Sequence, residues 1–281
     1  MRIRISADST CDLSPELIER YDVAITPLYV RLGDRDLKDG IEVAPPDIYR
    51  HVEETKEIPK TAAVNVGDYV AFFNDVREQG YDGIVHFTIS AEMSSCYQNA
   101  CLAAEGLENV YIVDSRNLST GIGHLVLDAC IMRDEGRTPE EIFRVLEERK
   151  QKLDVSFVLD TLRYLALGGR CNALLAFGAN LLNIKPSIGV KNGKMGVDKK
   201  YRCSFERAVV RYVNDKLADH DSLNLKRIFI TDSGVNDDVF NAVKDAVLKN
   251  APFAEVHHTR AGCTVSSHCG PNCIGILFYR N

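Results

Sequence analysis

The chain has 281 residues, of which 45% are hydrophobic and 26% are charged, a composition typical of a soluble globular protein. Its formal net charge of −6 offers no basic field for a polyphosphate backbone, so nucleic acid is not expected as the main partner. The N-terminal residues lack the apolar core of a signal peptide, and no window reaches the roughly 18 apolar residues that a membrane span requires. We therefore expect a cytoplasmic protein without stable membrane insertion.

Short apolar runs alternate with amphipathic segments along the chain, and this pattern predicts an α/β fold. At ~100–200 residues per domain, the length favours two α/β domains, which we place at residues 1–154 and 155–281. The first predicted strand lies within 3–12. Ser14 before Pro15 then predicts the start of a helix, because serine caps a helix and proline fits its first position.

Two later segments carry clear local signals. A buried strand is predicted at 83–90, and Ser94 is the expected N-cap of the helix that follows it. The pair Asn192-Gly193 stands between two short runs and predicts a hairpin with a type I′ turn, which requires positive φ at both positions.

Three predicted strands, within 3–12, 110–119 and 228–237, each lead into an Asp-Ser pair. Asp and Ser at such positions commonly hydrogen-bond nearby backbone amides and stabilise the turn. They also suit the lining of a ligand crevice, because α/β sheets bind ligands at the carboxyl ends of their strands. Both interpretations stay open.

The segment HCGPNCIG, which begins at His268, could form a metal site, a thiol nucleophile or an anion-binding site. The chain has nine scattered cysteines and no CxxC motif, and the spacing of Cys263, His268, Cys269 and Cys273 does not match common zinc sites. We expect reduced, mostly buried thiols and neither a metal nor another cofactor. A Cys269 nucleophile with His268 as its base remains an alternative. It would make the protein a free-standing hydrolase or transferase acting on acyl or carboxylate compounds.

No GxGxxG motif follows a predicted strand and no GxxxxGK[ST] motif occurs, so neither a dinucleotide site nor a P-loop is predicted. The tripeptide GGR at Gly168, Gly169 and Arg170 follows a predicted helix. One of the two glycines is expected to end that helix. Arg170 then either points into a crevice or is an ordinary surface arginine.

Several segments, taken together, resemble the DegV family, and they follow the family's order over nearly the whole chain. They are SADSTCDL (6–13), Lys60-Thr61, ISAEMSSCYQNA (89–100), VDSR (113–116) with Gly121 and Gly123, FVLDTLRYLALGGR (157–170), LNIKPSI (182–188) and HCGP (268–271).

The resemblance implies a two-domain α/β carrier that binds one long-chain fatty acid at the domain interface. It implies the role of acyl-binding subunit in a bacterial fatty acid kinase. Such a carrier presents the carboxyl group to a separate kinase subunit, which phosphorylates it to an acyl phosphate. The protein would then not be a catalyst by itself.

The resemblance also implies the residues of the head-group site. Thr61, Ser94 and His268 match positions that contact the carboxylate, and Arg170 matches a position where positive charge lies nearby. A helix that begins at Ser94 and Ser95 would add backbone N–H donors, which suits an anion.

The tail is expected in an apolar slot formed by residues 170–189, although a plain core helix explains the same pattern. The candidates are Leu174, Leu175, Phe177 and Leu181. A basic stretch at 191–202 is a candidate docking surface for the kinase subunit, or simply a solvated charged loop. The chain departs from the family pattern at KTAAVN (60–65), which has two alanines where relatives have a serine and a proline, and such changes bear on ligand preference.

Overall fold

The structure is a computed structural model, and it describes residues 1–170 and 184–281. Within these ranges the strands form three sheets. The strands are β1 (Ile3–Asp8), β2 (Ala24–Thr26), β3 (Tyr29–Leu32), β4 (Arg35–Lys38), β5 (Lys60–Ala62), β6 (Gly83–Thr88), β7 (Val110–Asp114), β8 (Leu153–Leu159), β9 (Lys185–Lys191), β10 (Lys194–Tyr201), β11 (Leu223–Asp232), β12 (Glu255–Arg260) and β13 (Cys273–Arg280).

The α-helices of the same described ranges lie between these strands. They are α1 (Pro15–Tyr21), α2 (Pro45–Thr55), α3 (Val66–Glu78), α4 (Cys96–Ala104), α5 (Thr120–Asp134), α6 (Pro139–Arg149), α7 (Arg163–Gly168), α8 (Phe205–Lys216), α9 (Asp237–Asn250) and α10 (Cys263–Cys269). No helix in the described part of the chain combines the length and apolar character needed to cross a bilayer.

The first sheet has the order β2-β1-β6-β7, and all its pairings are parallel. Every residue of β6 is buried, as expected for a parallel strand covered on both faces. The strands therefore end at one edge, where Asp8 and Asp114 close β1 and β7. Asp8 accepts a hydrogen bond from the backbone N–H of Ile89 (2.8 Å), and Asp114 accepts one from Ala91 (3.1 Å). These two carboxylates fix the loop that follows β6.

The second sheet has the order β10-β9-β8-β13-β11-β12 and is antiparallel except for the parallel pair β11 and β12. Asp232 ends β11 and accepts hydrogen bonds from the backbone N–H groups of Gly234 (2.8 Å) and Val235 (3.2 Å). The interpretation of the Asp-Ser pairs as turn-forming residues is thus confirmed in both sheets. The hairpin prediction is also confirmed, because Asn192 and Gly193 join β9 and β10 with φ angles of 51° and 80°.

The third sheet is small and antiparallel, with the order β4-β3-β5. It packs against α10, which also contacts α2 and α7. Thr61 lies in β5 opposite Val30 of β3. This small sheet therefore brings a residue from the first quarter of the chain to a helix near its end.

Helix α5 lies between the two larger sheets, touching β1 and β6 on one side and β8 and β13 on the other. Close packing requires glycine at two positions of this helix. A Cβ at Gly121 would lie 2.8 Å from Val155, and a Cβ at Gly123 would lie 2.9 Å from Leu13. His124 of the same helix forms a 2.9 Å hydrogen bond with the carbonyl oxygen of Leu277 in β13. The α/β prediction is confirmed, while the division at residues 154 and 155 stays a prediction.

Candidate ligand-binding site

His268 occupies the last turn of α10 and is half-buried. Its Nε2 lies 2.8 Å from Oγ1 of Thr61, and the two form a hydrogen bond across 207 residues of sequence. Burial, with a smaller contribution from the positive charge of Arg170, lowers the pKa of His268 to about 4. The ring is therefore neutral at neutral pH.

Glycines next to His268 let the surrounding elements approach it closely. A Cβ at Gly168 would lie 2.3 Å from Nδ1 of His268. Gly270 ends α10 with a φ of 72°, and a Cβ there would lie 2.4 Å from the ring of Tyr164 in α7. The glycine of HCGP thus allows the turn and the tight packing that fix the histidine.

Ser94 and Ser95 lie at the start of α4 but in different surroundings. Ser94 faces the same pocket as His268, and its hydroxyl oxygen accepts a 3.3 Å hydrogen bond from the backbone N–H of Cys96. Ser95 is exposed and does not line the pocket. The prediction that Ser94 is the N-cap is wrong by one residue, because the helix begins at Cys96 and Ser95 occupies the cap position without a side-chain hydrogen bond.

Arg170 follows the end of α7. Gly169 ends that helix with a φ of 69°, so one of the two glycines acts as expected. The guanidinium of Arg170 donates a hydrogen bond to the carbonyl oxygen of Gly168 (2.8 Å) and lines the pocket while the residue stays exposed. The structure thus brings Thr61, Ser94, Arg170 and His268 together around one cavity.

This cavity, which we call the head-group pocket, encloses an empty space of about 550 Å³ including its opening. Among the described residues its lining is largely apolar. The lining residues are Leu28, Thr61, Ala62, Ala63, Ile89, Met93, Ser94, Leu118, Leu165, Arg170, Met195, Thr264, Val265, His268 and Cys269. The arrangement suits a ligand with one polar end and a larger apolar part.

A second, narrower cavity lies on the side of the second sheet, with about 350 Å³ of space including its opening, and shares Leu118, Val265 and Cys269 with the head-group pocket. We call it the inner chamber. Most of its exposed surface is apolar, because nearby polar groups such as Thr231 and Ser233 hydrogen-bond to protein neighbours. The tail candidates of the sequence analysis fall within 171–183, outside the described residues.

Sequence reasoning missed several lining residues. Thr264 lies one helical turn before His268, and its buried hydroxyl oxygen makes no hydrogen bond. The i, i+4 spacing of Thr264 and His268 is visible in the sequence and indicates that both residues lie on one face of a helix. Leu118 and Met195 carried no comparable signal, because only the packing of the sheets brings them to the pocket.

The thiol-nucleophile alternative depends on contact between Cys269 and His268. The structure describes both residues: Nε2 of the His268 ring pairs with Thr61, and Nδ1 is buried without a hydrogen-bond partner, so Cys269 is not bonded to either ring nitrogen. Burial and the neighbouring Cys269 raise the pKa of the Cys273 thiol well above its ordinary value. Within the described ranges no group of three or more His, Cys, Asp or Glu side chains is arranged to hold a metal ion.

The chain is similar to proteins of one family along its whole length. The family described as "Uncharacterised protein, DegV family" matches residues 2–281. A DegV domain-containing protein from Clostridium perfringens is 30% identical over 283 residues, which cover 99% of this chain and 98% of the relative.

Solved structures show the same similarity. A DegV family protein from Thermus thermophilus, described as fatty acid binding, is 29% identical with a TM-score of 0.91, and the match covers 100% of both chains. A stearic acid-binding protein from Eubacterium ventriosum is 25% identical with a TM-score of 0.86, and the match covers 100% of this chain and 98% of that one. The whole-length match in both sequence and fold establishes that this chain belongs to the DegV family.

Proposed function

We propose that this protein binds a long-chain fatty acid, with the carboxylate at Thr61 and His268 and the tail in the apolar space behind them. The observation that carries the proposal is the 2.8 Å pair of Thr61 and His268 beside an otherwise largely apolar cavity. The fatty-acid-binding proteins of the same fold support it.

The polar groups of the pocket suit a carboxylate, which needs several hydrogen-bond donors. Thr61 and Ser94 each offer a hydroxyl, and His268 offers a ring N–H. Because an anion favours the charged form of a nearby imidazole, binding is expected to raise the pKa of His268 from about 4. Arg170 adds positive charge at the rim.

The tail provides most of the affinity in this proposal. Burying about fifteen methylenes at ~0.8 kcal/mol each gives on the order of 12 kcal/mol of gross transfer free energy, before the costs of association. We propose that the tail passes Leu118, Val265 and Cys269 into the inner chamber, since these residues line both cavities.

We further propose that the carrier acts in the cytoplasm and presents its ligand to a kinase subunit, which phosphorylates the carboxylate to an acyl phosphate. Family resemblance is the support for this step. The basic stretch at 191–202 remains the proposed docking surface, with charges partly offset by ion pairs such as Lys194 with Glu92 (3.2 Å) and Lys199 with Asp215 (2.7 Å). We keep residues 1–154 and 155–281 as the proposed domains.

Native mass spectrometry of the freshly purified protein, followed by solvent extraction, tests the binding proposal. One fatty acid per chain is the expected result. A protein that is empty and fails to take up added fatty acid would contradict the proposal.

Turnover assays separate the carrier from the hydrolase alternative. The carrier should leave acyl compounds unchanged without a kinase subunit and ATP, and Cys269→Ala should still bind fatty acid. Hydrolysis by the protein alone, abolished in Cys269→Ala, would favour the enzyme instead.

A further inference from the structure

The first turn of α10 is capped by aspartate side chains that lie far away in the sequence. Its N-cap residue, Gly262, has no side chain, so the first N–H groups of the helix need other acceptors. The N–H of Gly262 donates to Oδ1 of Asp12 (2.8 Å). The N–H groups of Cys263 and Thr264 donate to Oδ1 and Oδ2 of Asp39 (2.8 and 3.0 Å). Asp39 therefore uses both carboxylate oxygens on consecutive amides of one helix.

Asp39 is itself firmly held at the end of the small sheet. It is only 3% exposed and follows directly after β4. Its backbone N–H donates to the carbonyl oxygen of Leu28 (2.9 Å), and the hydroxyl of Ser9 donates to its Oδ2 (3.1 Å). The carboxylate is thus a fixed anchor, because both its backbone and its side chain are tied to neighbouring segments.

The small sheet holds α10 at both ends. Asp39 holds the first turn, and Thr61 of the same sheet pairs with His268 in the last turn. In that first turn Cys263 packs against Val30 and Leu37, buried residues of the sheet, and its thiol donates to the carbonyl oxygen of Val43 (3.1 Å). His268 lies five residues after Cys263, which at ~1.5 Å per residue is about 7.5 Å along the helix axis.

We propose that Asp39 is a positioning residue for the head-group site. By anchoring the first turn of α10 to the sheet that carries Thr61, it sets the separation of Thr61 and His268 and thereby the preference of the pocket for a carboxylate. This inference rests on the proposed function, since the preference concerns the fatty acid.

A helix cap that lies away from both cavities provides the matched control. Asn236 caps α9 by accepting a hydrogen bond from the backbone N–H of Val239 (2.9 Å), and it does not line either cavity. Replacing either cap should weaken a helix terminus. Only the loss of Asp39 should change how the pocket distinguishes ligands.

The experiment compares the affinities of the full chain for a long-chain fatty acid and for the matching alcohol. Asp39→Ala should weaken acid binding about tenfold or more and alcohol binding less than about threefold, whereas Asn236→Ala should change neither by more than about threefold. His268→Ala should likewise lose the preference for the acid over the alcohol. The double variant Asp39→Ala with His268→Ala should lose little more of this preference than either single variant, because both residues contribute to the same interaction.

A second readout needs no ligand. The pKa of His268, measured by NMR titration, should rise in Asp39→Ala from about 4 toward the ordinary histidine value, because the ring loses its buried position. Asp39→Asn keeps one oxygen acceptor and should therefore shift the His268 pKa by a smaller amount. This variant provides the test if Asp39→Ala does not fold.

An unchanged acid preference together with an unchanged His268 pKa, in whichever variant folds, would overturn the inference. Equal loss of acid and alcohol binding in Asp39→Ala, with the His268 pKa unmoved, would overturn it as well. Should the wild-type protein bind acid and alcohol alike, the proposed function fails, while the His268 titration still tests whether Asp39 positions the ring.

Discussion

At the scale of single residues, the head-group pocket depends on side chains whose neighbours restrict them. His268 is held by Thr61 on one ring nitrogen and packed against Gly168 at the other. Burial keeps its ring neutral at neutral pH. A neutral imidazole pairs with a hydroxyl without the cost of burying an isolated charge, and it can still respond to an anion.

His268→Ala and Thr61→Ala should each weaken fatty acid binding much more than binding of the matching alcohol. Each variant removes one head-group donor, and a hydrogen bond to a charged group contributes about 1.5–3 kcal/mol. Calorimetry with both ligands measures the difference. Equal losses for acid and alcohol would contradict the placement of the carboxylate.

The pKa of Asp12 predicts a pH effect on the stability of the folded chain that is separate from ligand binding. Burial, reinforced by the nearby Asp39 and Asp8, raises the pKa of Asp12 to about 8. Because this pKa exceeds that of an unfolded aspartate, the folded chain binds the proton more tightly, and its stability falls as pH rises toward 8. Asp12→Asn should remove this dependence.

Denaturant unfolding of both proteins at several pH values checks the prediction. Wild-type protein should lose up to ~1.4 kcal/mol per pH unit relative to Asp12→Asn between about pH 5 and pH 8. All other ionisable groups are common to both proteins. If the free energies of unfolding of the two proteins change in parallel with pH, Asp12 does not carry the proton.

At the scale of elements, the β9–β10 hairpin touches the loop that carries Ser94. The hydroxyl of Ser90 donates to the carbonyl oxygen of Gly193 at the hairpin tip (2.8 Å). Met195, two residues further along, lines the head-group pocket. The hairpin therefore joins the second sheet to the loop after β6 and closes one side of the site.

Gly193→Ala should destabilise the protein by about 1–3 kcal/mol, because the position has positive φ and the added Cβ would lie 2.6 Å from Oγ of Ser90. Denaturant unfolding measures this loss. Gly196→Ala in the same hairpin is the matched control, since its Cβ meets no atom within 4 Å and its φ is not positive. Equal effects of the two substitutions would show that the tip contact is unimportant.

At the scale of the whole molecule, the pocket lies where distant parts of the chain meet. Helix α5 packs between the two larger sheets, and the small sheet packs on α10. Ligand contacts would therefore connect residues from both halves of the sequence. A molecule that fills this space should stabilise the folded chain as a whole.

Under the proposed function, removal of bound fatty acid should lower the melting temperature. Saturation with a ligand at about 100 times its Kd stabilises a folded protein by about 2.7 kcal/mol. A shift of several degrees is expected for a chain of this size. Calorimetry before and after extraction, with the fatty acid added back, measures it. An unchanged melting temperature after re-addition would argue against binding at a site shared by both halves.

Local sequence patterns determined much of this protein. The alternation of apolar runs predicts the α/β fold, and Asn192-Gly193 predicts its hairpin because few other pairs accept positive φ at both positions. Ser14 with Pro15 caps α1 as expected. Such features depend on neighbouring residues, so a single chain reveals them.

Only the tertiary structure decided which distant residues meet. Thr61 and His268 could be paired in advance through family resemblance, but the capping of α10 by Asp39 joins positions 224 apart and has no local signature. Ser95, expected beside Ser94 at the site, is exposed at the N-cap of α4 and does not line the pocket. Contacts of this kind follow from the packing of the sheets against α5 and α10, which the pattern of neighbouring residues does not specify.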